Sequence, residues 1–126
     1  MAISRCNQMG ARLILGLSLL ITTYMALIPL PSLVQESIND KLGHVLLFIF
    51  LGFLAHASWG NRPFNWKHAL FLFTYGAMLE CLQYFSPSRY FSWLDMVANG
   101  MGILIYWLIA FFLLQGISSP APPPKT

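Results

Sequence analysis

The chain has 126 residues, 57% of them hydrophobic and only 9% charged, with a formal net charge of +3. A soluble domain of this size carries about 25% charged residues, so the composition excludes a water-facing surface and places the chain in a bilayer. The seven Lys and Arg residues are scattered singly, without the basic clusters and interleaved aromatics of a nucleic-acid binder, so no nucleic acid is expected as a partner.

The first apolar stretch runs from Leu13 to Ile28, after Arg5 and Arg12. It has the positive and apolar regions of a signal peptide but no small-x-small cleavage site, and it ends in Pro29-Leu30-Pro31. It reads as an uncleaved helix over about 13–30, stopped or kinked by proline, which lacks the N–H a helix needs. Ser32 to Asn39 reads as a loop in which Leu33, Val34 and Ile38 suit the membrane interface. Asn39-Asp40 is a candidate N-cap for a second helix, about 42–59. Gly60 to Lys67 is a short loop. A third helix follows over about 69–85, then a loop from Ser86 to Asp95 and a fourth helix over about 96–114. The tail from Ser118, SSPAPPPKT, reads as disordered. Each apolar stretch approaches the roughly 17–20 residues that cross a hydrocarbon core as helix. Backbone polar groups in lipid must be satisfied within the segment, which selects helices. The fold class is therefore all-α, an integral membrane bundle of four transmembrane helices. It forms one domain over 13–117, between an N-terminal segment (1–12) and the tail (118–126).

Short-loop charges set the orientation. Arg5, Arg12, Arg62, Lys67 and Lys125 fall on one side, against Lys41 and Arg89 on the other. Both termini are then cytoplasmic. Trp59 and Trp66 lie near the inner interface, and Tyr84, Tyr90 and Trp93 near the outer one. Tyr106 and Trp107 fall mid-span, where only packing accounts for them. Cys6 and Cys81 fall at opposite faces, beyond the reach of a disulfide.

The third stretch, ALFLFTYGAMLECLQYF, contains a carboxylate. An ionisable group inside a span costs several kcal/mol unless paired or wetted, which makes Glu80 a candidate functional residue. Gln83, three residues on, projects from the same face. With this topology Asp40, Lys41 and His44 open helix 2 at the outer face. Asp95 and Asn99 open helix 4 there, after Arg89. Glu80 sits about 7 Å below the end of its helix, Asn99 about 6 Å below Asp95, and His44 about 6 Å below Asp40. Three helices thus bring polar groups to one shallow depth. Simpler roles exist for most of them. Asp40 would cap helix 2, Ser92 and Asp95 match a capping box, Lys41 would snorkel, His44 would be a hydrogen-bonded core histidine, and Asn99 would join helices. Gly100 and Gly102, with Ala98, suit close packing. His56 and His68 read as structural or solvated. Glu80 is explained least well in this way, and Arg89, Lys41 and His44 are its available partners.

These residues occur in a familiar order. Asp40-Lys41-Leu42-Gly43-His44 resembles the opening D-K-x-x-H of the VanZ-like family, and Glu80-Cys81-Leu82-Gln83 its E-x-x-Q. Arg89, Asp95, Asn99 and Gly102 resemble its R-x5-D-x3-N-x2-G. The resemblance covers Asp40 to about Leu114, three of the four helices. It implies a small bacterial multi-pass protein of the cytoplasmic membrane. The family is named for a member associated with reduced susceptibility to teicoplanin, which suggests a cell-envelope or antibiotic-resistance context but no reaction.

The mixed-sign, amide-rich set favours a binding site made of Asp40, Lys41, His44, Glu80, Gln83, Arg89, Asp95 and Asn99. Its expected ligand is a lipid-linked cell-wall precursor or a glycopeptide. Lys41 and Arg89 would meet phosphate or carboxylate. The alternative is an embedded hydrolase or transferase acting on a lipid phosphate or ester, with His44, Glu80 and Asp95 as candidate catalytic groups. Asp40, Glu80 and Asp95 fit a hard cation only loosely, and charge pairing accounts for the same residues, so no metal or cofactor is expected. One-sided polarity argues against a proton path through a monomer, although an oligomer would be compatible with one. Docking of a partner helix is the remaining structural role.

Overall fold

The computed structural model describes residues 5–28, 38–60, 63–86, 92–114 and 123–125. Arg62, Arg89, most of the expected interface loop (32–37) and most of the tail lie outside these residues. Four helices make up the described chain: α1 (Arg5–Leu27), α2 (Ile38–Ser58), α3 (Trp66–Tyr84) and α4 (Trp93–Ile109). A π-helical turn, Ala110–Leu114, extends α4. The all-helical expectation holds.

α1 begins at Arg5, eight residues before its apolar run and within the segment expected to precede the bundle, and the other three helices begin three or four residues before theirs. Asn65 caps α3: its Oδ1 accepts the Lys67 amide at 2.9 Å, and its own N–H reaches His68 Nδ1 at 3.2 Å. Two orphan donors at the helix start are thereby satisfied. Ser92 caps α4, its Oγ accepting the Asp95 amide at 3.3 Å. Asp40 differs from expectation. α2 starts at Ile38, so Asp40 lies inside the first turn rather than at the cap, where a carboxylate favours the positive end of the helix dipole.

The side-chain contacts fix the topology. Lys41 meets Ser92 and Asp95, His44 meets Asn99, and His56 meets Tyr106, so α2 and α4 run parallel. Gly76 packs on Asn99 while Glu80 meets Ser92, so α3 runs antiparallel to α4. Arg12 Nε donates to Ser58 O at 2.9 Å, and Tyr75 OH donates to Leu19 O at 2.8 Å. α1 is thus antiparallel to α2 and parallel to α3, and the order is up-down-up-down. The core runs through Phe48, Leu51, Leu54 and Ala55 of α2, Leu72 of α3, and Ile103, Tyr106 and Ala110. From α1 only Leu15 is buried.

The closest approach is between α2 and α4. A Cβ on Gly102 would lie 2.5 Å from the carbonyl oxygen of Val45 and 2.8 Å from Phe48 Cβ, and one on Gly52 would lie 2.9 Å from the Tyr106 ring. These glycines let the two backbones meet. Tyr106 now has a role beyond packing: its hydroxyl pairs with His56 Nδ1 at 2.8 Å. His68 is buried and stacked on Phe64, with ring centroids 5.0 Å apart. Trp107 packs edge-on to Phe64 at 5.9 Å.

Three helices, Arg5–Leu27, Asp40–Ser58 and Trp93–Leu113, are long and apolar enough to cross a membrane. α3 falls short of the four spans expected, because Lys67, His68, Glu80 and Gln83 dilute its apolar content. The last three of these are buried, whereas Phe71, Phe73, Met78 and Leu82 face outward. The buried side of α3 thus carries His68, Glu80 and Gln83 together with Leu72, Gly76 and Leu79. Cys6 and Cys81 are unbridged and exposed, toward opposite ends of the bundle.

Candidate functional site

At the end where α2 and α4 begin and α3 finishes, the two parallel helices place one residue set beside another. Lys41 forms an ion pair with Asp95 and lies 3.5 Å from Asp40 Oδ2 and 3.4 Å from Ser92 Oγ. One turn deeper, His44 Nδ1 is 2.9 Å from Asn99 Oδ1. An amide oxygen only accepts, so Nδ1 carries the proton and Nε2 points the other way. It lies 3.6 Å from Asp95 Oδ2 and 3.9 Å from Asp40 Oδ1. Asn99 itself is buried, its amide nitrogen seated over Gly76 of α3, where a Cβ would lie 2.9 Å away. The absence of a side chain at Gly76 is what lets the third helix come up to the pair.

Glu80 stands one turn above Gly76 and is fully buried. Its Oε2 accepts the Ser92 backbone N–H at 3.3 Å. Its Oε1 has no hydrogen-bond partner among the described residues. Among the described residues the hydrogen-bond partner found is a backbone amide; Arg89, one of the expected partners, lies outside them. The reason lies in the cap of α4. In a complete capping box the acid at the third helical position returns to the cap's own N–H. Here Glu80 takes that N–H from another helix, and Asp95 is released to hold Lys41.

Asp40, Lys41, His44, Asp95 and Asn99 are thus brought together, with Glu80 joined to them through Ser92. Gln83 is drawn elsewhere: its Nε2 donates to Ala26 O of α1 at 3.1 Å. Lys41 does not snorkel away; it is an internal counter-ion. Arg89 lies outside the described residues.

Several contributors were not singled out by sequence reasoning. Beyond its role as a cap, Ser92 links two side chains, Glu80 through its amide and Lys41 through its hydroxyl. Gly76 carried no signal in a single sequence, because its role is to leave room. Tyr75 was missed as well, and its hydroxyl lies 2.9 Å from Thr23 Oγ1. A tyrosine and a threonine on two apolar runs were the available signal.

The cluster can coordinate a cation, accept hydrogen bonds from hydroxyl or amine groups, and move a proton at His44. A family model described as VanZ/LLP1 matches residues 6–114. The match reaches into α1, beyond the three helices that carry the motifs. No curated protein matches this chain. No solved structure matches it either.

Proposed function

The chain belongs to the VanZ/LLP1 family, and on that premise we propose a multi-pass protein of the bacterial cytoplasmic membrane that binds a lipid headgroup at an outward-facing polar site. All four helices span in this reading. α3 crosses despite its polar residues because His68, Glu80 and Gln83 are turned into the bundle, where they cost less than they would against lipid. Both termini are cytoplasmic by the distribution of Lys and Arg.

The observation that carries the reading is convergence. Carboxylates, an ammonium, an imidazole and an amide from three helices meet at one end of a bundle whose exterior is apolar. A lipid-linked cell-wall precursor presents the matching chemistry: phosphate for Lys41 and Arg89, and hydroxyl and amide groups for Asp95, Glu80 and Asn99. A glycopeptide would meet the same groups.

The test uses protein in lipid nanodiscs with a panel of lipid-linked precursors, read by mass spectrometry. Wild type should retain a precursor that Glu80→Gln releases. Equal retention by both would sink the proposal. One observation favours a second reading, a hydrolase or transferase. His44 is oriented by Asn99 with Nε2 toward Asp95, and Ser92 Oγ stands in the same cluster. This is the arrangement of a base held by an orienting group. A new lipid product formed by wild type and lost in His44→Ala would establish it.

A further inference from the structure

We infer that Asp40, His44 and Asp95 form a site for one divalent cation of the zinc type, with Glu80 as an additional carboxylate beside it. The inference concerns the cluster that would hold the headgroup, but it rests on the protein's own donor atoms.

The first argument is spacing. One atom from each of the three residues lies within 4.8 Å of the others. His44 Nε2 is 3.6 Å from Asp95 Oδ2 and 3.9 Å from Asp40 Oδ1. Both distances are beyond a hydrogen bond. Zinc–nitrogen and zinc–oxygen bonds of about 2.0–2.2 Å in a tetrahedron set neighbouring ligand atoms about 3.4 Å apart. His44 Nε2 therefore stands within about half an ångström of a coordination edge to each carboxylate, and the two carboxylates lie within 4.8 Å of one another.

The second argument is orientation. A metal-binding histidine usually gives its other N–H to an acceptor that fixes the ring, and Asn99 Oδ1 takes this role at 2.9 Å. Asn99 is in turn held over Gly76. Nε2 is left facing two carboxylates, and in the neutral ring its lone pair would be directed at a cation held between them.

The third argument is charge. The Lys41 ammonium pairs with both Asp40 and Asp95, and the Glu80 carboxylate, bound to the Ser92 amide, adds a third acidic group to the same end of the bundle. Glu80 is fully buried against the first turn of α4, next to Asp95, and its Oε1 meets no donor there. An unpartnered buried carboxylate oxygen calls for a cation or a bound donor. Lys41 Nζ marks where positive charge is stabilised, and its long, partly exposed side chain can withdraw toward the end of the bundle. Three protein ligands leave a fourth position open, which a headgroup phosphate or a water would take.

The experiment is a titration of nanodisc-embedded protein, stripped with EDTA, first with Co²⁺ and then with Zn²⁺. One Co²⁺ per chain should give the visible absorption of four-coordinate cobalt, and Zn²⁺ should displace it. His44→Ala should abolish the band. Asn99→Ala should weaken binding by about tenfold or more through loss of ring orientation. Lys41→Met should tighten it by removing the competing ammonium. Absence of the band at saturating Co²⁺, or its survival in His44→Ala, would overturn the inference. Should His44→Ala fail to fold, Asp40→Asn at the rim decides with Lys41→Met: unchanged affinity in both also overturns it. Headgroup retention measured in EDTA separates the two readings. Retention there without a cobalt band removes the metal alone, whereas a cobalt band without headgroup retention supports the metal and removes the headgroup.

Discussion

Ser92 joins three functional residues: its backbone amide donates to the Glu80 carboxylate, its hydroxyl accepts the Asp95 backbone amide, and that hydroxyl lies 3.4 Å from Lys41 Nζ. The capping box was legible in the sequence; its division between two helices was not, because that depends on which helix arrives beside the cap. Removing charge at the two acids should therefore have different effects. Asp95→Asn leaves the Lys41 ammonium without its main partner, and this pair is largely buried. Thermal unfolding in detergent should show a loss of about 1–3 kcal/mol, between the values for exposed and buried pairs. Glu80→Gln keeps an acceptor for the Ser92 amide and removes a buried charge. Its unfolding temperature should match or exceed that of wild type, while headgroup retention is lost. A large destabilisation by Glu80→Gln would make Glu80 a structural residue. At the other end of the bundle, Tyr106→Phe removes the bond to His56. It should cost about 1 kcal/mol, in line with interhelical hydrogen bonds in membranes.

At the level of helices, the glycines separate contact from vacancy. Gly102→Ala would push a methyl group to 2.5 Å from the Val45 carbonyl, so α2 and α4 must part. Overpacking of this kind costs about 1–3 kcal/mol, and the separation would also pull His44 from Asn99. Gly100→Ala meets only the Phe73 ring at 3.7 Å, and Gly43 meets nothing within 4 Å. Alanine at these two positions should leave stability unchanged or raise it by up to about 1 kcal/mol through helix propensity. Equal losses at Gly43 and Gly102 in the same melting assay would contradict the packing described. The sequence announced Gly102 as a packing residue through its spacing from Ala98. It said nothing of Gly52 or Gly76, whose neighbours come from other helices. Helix existence and order were legible from apolar runs alone. The starts of α2, α3 and α4 were placed three or four residues late, since polar residues such as Asn65 at a cap and Asp40 and Lys41 in a first turn precede the apolar run.

For the molecule as a whole, composition identified the solvent, while the number of crossings turned on α3. Counting apolar residues misses a helix whose polar side faces its neighbours, so the three candidate spans and the proposed four differ by that helix alone. Impermeant maleimide labelling of spheroplasts decides between them, with Cys6 at one end and Ser86→Cys, in a Cys81→Ser background, just past α3. Labelling from opposite sides is expected; labelling from the same side would mean that α3 does not cross. The sparse burial of α1 also bears on how the molecule is assembled. α1 is synthesised before its neighbours, yet it buries only Leu15 and is held by hydrogen bonds at Arg12, Thr23 and Ala26. A helix that gains so little from its neighbours is content in lipid alone, so the first helix made should be the last to dock. Its peptide link to the rest is then dispensable. Residues up to 28 and from 38 onward, co-expressed as two chains, should find each other in the membrane, whereas a cut between α3 and α4 would free Ser92 from Glu80 and leave nothing to restore the site.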